Sequence, residues 1–132
     1  MSERGSARKS VYEYALLRVV PSIERGEMVN VGVIVYCQLK DFLACRTEMA
    51  ERRLLALDPE LDLCGVRSSL EAVDSMCCGG EKAGQAAQES LGSRFRWLTA
   101  PRSTIVQPGP VHAGLTHDPA AELDRLVDLL VR

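Results

Sequence analysis

Apolar and polar positions alternate along this chain in two rhythms, and the change from one to the other divides it into strands and helices. Residues 11–20, VYEYALLRVV, are apolar apart from the charges of Glu13 and Arg18 and the hydroxyls of the two tyrosines, and they stop at Pro21. In residues 28–37, MVNVGVIVYC, four β-branched residues, Val29, Val31, Val33 and Val35, recur at every second position, the period of a strand. Met28, Asn30, Gly32, Ile34 and Tyr36 make the other face. Both segments are apolar on both faces over much of their length. Central strands have that character when helices cover each side, or when helices cover one side and a partner subunit the other. The short loop 21–27 predicts an antiparallel hairpin. Pairing Val20 with Met28 sets Arg18 opposite Asn30, Leu16 opposite Gly32, Tyr14 opposite Ile34 and Tyr12 opposite Tyr36, all on one face.

After a turn at 38–41, Phe42 to Thr47 reads as a third strand of a meander. The rhythm then becomes helical. Ala50 to Leu57 carries Leu54, Leu55 and Leu57 and stops at Asp58-Pro59. Asp62 is a cap for a helix with the stripe Leu63, Val66, Leu70, Val73 and Cys77, ended by Gly79-Gly80. Residues 81–90 are weakly patterned and read as a mobile loop or poor helix, whereas Leu91, Phe95 and Leu98 predict a short helix before Pro101. Residues 104–107 read as a fourth strand, closed by Pro108-Gly109-Pro110, and residues 112–117 as part of a long loop. Asp118-Pro119 opens a last helix with the stripe Leu123, Leu126, Val127, Leu130 and Val131. The order predicts an α+β fold: an antiparallel sheet of about four strands, the N-terminal meander plus a later strand, with helices packed mainly on one face. A single domain is expected over residues 11–132, behind a flexible tail at 1–10.

Composition narrows the chemistry. At 132 residues the chain can bury a core without disulfide or metal staples. Its net charge of −2, with both signs interspersed, offers no concentrated basic face for nucleic acid or a membrane surface. No apolar run approaches the roughly 20 residues of a membrane-spanning helix, and the first ten residues lack the apolar core of a secretory signal. The five cysteines are odd in number and include no CxxC pair, so they read as reduced thiols of a cytoplasmic protein, with no zinc site. Cys77-Cys78 falls at a helix C-terminus, where the dipole disfavours a thiolate. His112 and His117 with Asp118 are a poor metal set, since Asp118 serves as a cap. Phosphate-binding and dinucleotide-binding glycine loops, the HExxH motif and the GxSxG motif are all absent, and no cofactor is expected.

Two polar blocks remain. Arg18 is a charge in an apolar strand and requires a partner. Glu24 or Glu27 of the hairpin loop could neutralise it; alternatively Arg18 and Asn30 floor a polar pocket at that end of the sheet. The segment RFRWLTAPRS, residues 94–103, gathers arginines around the only tryptophan, a pattern that suits a small anion, less well a nucleic acid with Trp97 as a stacking platform, or else a short helix with Phe95 and Leu98 buried and its arginines solvated.

The stretches RVVPSIERGEMVNVGVIVYC and RFRWLTAPRSTIVQPGPVHAGLTHDP together resemble a bacterial family known as domain of unknown function 3037, over nearly the whole chain. The resemblance implies a compact single domain and, since genes of the family often lie beside one for a HipA-like kinase-fold protein, either a protein partner of that kind or a shared pathway; it implies no activity and no catalytic residues. Of the residues in its two motif blocks, Arg18, Glu27, Asn30, Arg102, Ser103, Gln107 and His112 are the candidate ligand-binding set, expected to meet in one pocket. Three functions fit. The first is a non-catalytic binding or accessory module for a small anion or a partner protein. The second is a small enzyme on an anionic or phosphorylated substrate held by Arg18 and Arg102, with His112 as general acid or base, since imidazole titrates near neutral pH. The third is a homo-oligomer that buries its second sheet face in a dimer.

Overall fold

Pro21 and the β-branched run after it produce the expected hairpin. In the computed structural model, which describes residues 8–79, 90–102 and 104–132, β1 (Ser10–Val19) and β2 (Val29–Cys37) are antiparallel neighbours. β3 (Phe42–Thr47) continues the meander on the far side of β2. Helices α1 (Glu51–Leu57), α2 (Leu63–Cys78) and α3 (Leu91–Leu98) follow. β4 (Val106–Pro108) and β5 (His112–Thr116) return to β1, and α4 (Pro119–Leu130) ends the chain. Among the described residues this is an α+β fold on one five-stranded antiparallel sheet, ordered β3-β2-β1-β4, with β5 also against β1. The expectation for residues 81–90 falls on 80–89, outside the described residues, except for Ser90.

The caps form where local chemistry places them. Asp62 Oδ1 accepts from Gly65 N at 3.0 Å, Ser90 Oγ accepts from Ser93 N at 3.2 Å, and Asp118 Oδ1 accepts from Ala120 N at 3.0 Å. Gly79 ends α2 at φ +72°, a left-handed conformation that glycine adopts without strain.

Each face of the sheet has its own core. Helices α1 to α3 cover one face, where Leu17, Val19, Val31 and Ile34 pack with Leu54, Val66, Leu70 and Phe95. Phe95 is fully buried with its ring 5.3 Å from that of Tyr36, a burial worth about 2–3 kcal/mol. Helix α4 covers the other face, where Leu123, Leu126, Val127 and Val131 meet Tyr12, Val33, Val35 and Cys37. The second apolar face over β2 and β3 is thus covered from within the chain.

Two features depart from the expected sheet. The register between β1 and β2 shifts at Leu17/Arg18: Arg18 stands opposite Asn30 as expected, but Leu17 stands opposite Gly32, and Val31 is an extra residue. This bulge splits the valine run, with Val29 and Val31 facing α1–α3 and Val33 and Val35 facing α4. Tyr12, Tyr14 and Leu16 therefore do not share a face with Ile34 and Tyr36, as the unbroken register required. Gly32 is needed beside the bulge because a Cβ there would stand 2.9 Å from Arg46 O and 3.2 Å from Leu17 Cδ1. The second departure is β5, in a stretch expected to be loop. Ser10 to Tyr14 of β1 would otherwise present an open edge, and residues 112–116 pair with it. β4 and β5 are two halves of one outer strand interrupted at Pro108-Gly109-Pro110, and Gly109 N still donates to Leu16 O at 2.7 Å.

Candidate functional site

The β1 edge built by β4 brings residues from both polar blocks together. Arg18 stands opposite Asn30 of β2 on one side and Gln107 of β4 on the other. Directly opposed residues of antiparallel strands share a face, so the three side chains form a row across the sheet. The row lies on the α4 face, since Asn30 Nδ2 donates to Leu130 O at 3.1 Å, at the carbonyl end of α4. Asn30 is thereby oriented by the fold, while Arg18 and Gln107 are half-buried.

Arg18 is the unusual member. Its Nε is buried and has no hydrogen-bond partner among the described residues. Its guanidinium rests against the backbone of Gly109, where an added Cβ would lie 2.9 Å from Cζ and 3.1 Å from Nη2. The acid expected to neutralise it is engaged elsewhere: Glu27 pairs with Arg25 at 2.6 Å, and Glu24 is exposed. A cation held against the protein without a counter-charge is unfavourable by several kcal/mol when fully buried, and less here, where the residue keeps part of its solvent.

The other candidates are distributed more widely. His112 is exposed and stands opposite Tyr14, with ring centroids 5.3 Å apart. Tyr14 and Arg18 are four residues apart on β1, about 13 Å at strand spacing, so the sheet does not set His112 in the Arg18 row. Arg102 lies on the opposite side of the sheet, in a cleft with Met76, Leu98 and Val106 of the α1–α3 core. Its Nη2 donates to Trp97 O at 2.5 Å, and its guanidinium stands 4.6 Å from the Trp97 ring centre. Glu27 lines a separate cleft, of about 360 Å³, with Pro21, Arg25 and Leu57. Ser103 is outside the described residues. The single pocket expected of the two blocks is therefore divided: Asn30, Arg18 and Gln107 share a row, and Arg102 faces away from it.

The two remaining arginines of the tryptophan segment are occupied. Arg94 is 93% buried by its relative exposure of 7%, and its Nη1 donates to Met76 O at 2.9 Å and Cys77 O at 3.4 Å, closing the C-terminus of α2. Arg96 forms a two-pronged pair with Glu13, at 2.8 and 2.7 Å, which raises the Arg96 pKa above its ordinary value. That pair forms one wall of a cleft of about 880 Å³, lined also by Tyr36 and Trp97. Sequence reasoning passed over this cleft, although Glu13, the second charge in an apolar strand, was a signal of the same kind as Arg18.

On the α4 face, Tyr12 donates to Glu122, which Arg125 also holds through two hydrogen bonds. Burial, and then the Glu122 carboxylate, push the Tyr12 phenol up to about 12. The Arg125 bonds, and secondarily the Tyr12 hydroxyl, hold Glu122 below its ordinary value against the opposing effect of burial. At two of the cysteines the surroundings favour the neutral thiol over the thiolate. A hydrogen bond with Cys77, followed by burial, raises Cys45, and burial followed by the Asp74 charge raises Cys78. Among the described residues no cluster of three or more His, Cys, Asp or Glu side chains is placed to hold a metal, and no helix is long and apolar enough to cross a membrane.

The fold and the row define a class: an α+β protein whose antiparallel sheet carries, between two amide side chains, an arginine that has no acid partner among the described residues. The sequence model of the family described as Protein of unknown function (DUF3037) matches residues 14–131, and the chain belongs to that family. Comparison with curated proteins and with solved structures found no match.

Proposed function

We propose that the chain is a non-catalytic binding module that receives a small anionic group at the Asn30–Arg18–Gln107 row. The observation that carries this reading is the buried Nε of Arg18, which has no partner and no paired acid among the described residues. An oxyanion laid against the guanidinium would accept from it, and from the Gln107 amide, by charge-assisted bonds of the kind arginine makes with carboxylate and phosphate. Gly109 supports the reading because its missing side chain is what lets the guanidinium lie flat against the strand edge. His112, exposed and opposite Tyr14, about 13 Å along β1 from Arg18, offers the row no proton donor, which favours binding over catalysis. In this reading the chain is an accessory protein of the bacterial cytoplasm. A HipA-like kinase-fold partner, as the family resemblance implies, would present or compete for the anionic group.

Thermal denaturation in phosphate, sulfate and acetate, at constant ionic strength against chloride, tests the proposal. An anion at ten times its Kd stabilises by about 1.4 kcal/mol, and Arg18→Gln should abolish that increment. Equal stabilisation of wild type and Arg18→Gln would overturn it.

A further inference from the structure

On the α1–α3 side of the sheet, the face opposite the Arg18 row, the cleft that holds Arg102 has a volume of about 320 Å³ and opens between α2 and the chain that leads into β4. Val73, Met76, Leu98 and Val106 make its floor, and the last three are at least 91% buried, with relative exposures of 9%, 2% and 9%. Arg102 is the only charged side chain in its lining among the described residues. This arginine is held in place rather than free to sweep: Nη2 donates to Trp97 O at 2.5 Å, Nε donates to Ala100 O at 3.3 Å, and the guanidinium stacks over Trp97. Its Nη1 makes no hydrogen bond, and no acid pairs with it, among the described residues. A fixed, un-neutralised guanidinium at the rim of an apolar pit is the lining of a site for an amphiphilic anion. The volume is at the lower end of the range for small-molecule pockets.

We infer that this cleft binds a free monocarboxylic acid with a short apolar tail, the tail on Val73, Met76, Leu98 and Val106 and the carboxylate on Arg102. The carboxylate would meet Nη1 and the remaining hydrogen of Nη2, the end of the fork that the backbone carbonyls leave open. Tail and charge are both required: hydrocarbon burial supplies affinity, and the guanidinium selects the acid over the alcohol of equal length.

Trp97 is the only tryptophan of the chain and lines the cleft, so its fluorescence reports occupancy of the full-length protein directly. Sodium hexanoate, acetate and 1-hexanol are the probes, with the Met76 methyl resonance as a second readout. Hexanoate is expected to saturate with a Kd below about 1 mM, and acetate to show no saturation in that range. Arg102→Gln should weaken hexanoate about tenfold or more while leaving the response to 1-hexanol unchanged. Val73→Phe, which fills the floor, should remove both responses. Arg18→Gln should leave hexanoate binding intact, so failure at the Arg18 row and failure here are read separately. No saturation by hexanoate up to about 10 mM, or equal binding by wild type and Arg102→Gln, would overturn the inference. Because Arg102→Gln is a rim substitution, it decides the matter even if Val73→Phe does not fold.

Discussion

The guanidinium of Arg18 lies so close to Gly109 that a Cβ at that position would stand 2.9 Å from its Cζ. The two residues come from the two polar blocks, and the pairing of β1 with β4 brings them together. Gly109→Ala should therefore act on the site through Arg18. It should displace the guanidinium and weaken phosphate affinity by at least the worth of one charged hydrogen bond, about 1.5 kcal/mol or roughly tenfold in Kd. Calorimetric titration of the variant with phosphate checks this.

Arg18 and Arg94 are both arginines with an unpartnered buried Nε, but they should respond to mutation in opposite ways. Arg94 satisfies the last carbonyls of α2, so Arg94→Ala leaves them buried and unpaired and should cost about 2–3 kcal/mol in urea denaturation. Arg18 makes no such bond among the described residues. Arg18→Met keeps the stem and removes the uncompensated charge, so it should leave stability within about 0.5 kcal/mol of wild type or raise it, while ending the anion effect. A large loss of stability in Arg18→Met would mean that the residue is there for the fold.

The bulge is a third point of test. Gly32→Ala places a methyl against Arg46 O and Leu17 Cδ1, both in the paired sheet, where neither can move freely. Overpacking of this kind should cost about 1–3 kcal/mol. It should also disturb the Arg18–Asn30 pairing that the bulge sets, seen as loss of hydrogen-exchange protection in β1 and β2.

The hairpin, the helices and their caps were legible because the signals are local: Pro21, the β-branched run of β2, and Asp62, Asp118 and Gly79 at helix ends. The Arg18–Asn30 pair was legible from loop length, yet the rest of the register was not. The bulge at Val31 depends on the fit of Gly32 against β3, a contact far away in sequence. β5 was missed because HAGLT has neither a β-branched run nor an apolar alternation; the open edge of β1 makes it a strand. For the site, Arg18, Asn30 and Gln107 were readable as polar residues in motif blocks. The position of Arg102 on the other side of the sheet was not, since it is set by packing of α3 against α2 and by the Trp97 carbonyl.

Stability should fall at alkaline pH through Tyr12. Its folded-state pKa, about 12 against an ordinary 10.0, means that the folded chain keeps a proton that the unfolded chain releases between those values. The contribution is fully present below pH 10.0 and is lost as pH rises toward about 12. Glu122 has the opposite sign: its depressed pKa contributes above the ordinary carboxylate range and is lost as pH falls through the folded value. In urea denaturation followed against pH, Tyr12→Phe should flatten the alkaline limb and leave a smaller acid limb, because Arg125 still holds Glu122.

The site is tested most directly by the Arg18 Nε–H resonance in a phosphate titration followed by nitrogen–proton NMR. A proton on a buried, unpartnered nitrogen should move downfield and saturate as the anion arrives, together with the side-chain amide of Gln107 and the Gly109 N–H, while the Trp97 indole N–H on the other side of the sheet stays fixed. If the Arg18 and Gln107 signals remain in place while phosphate stabilises the protein, the anion binds elsewhere and the row is not the site.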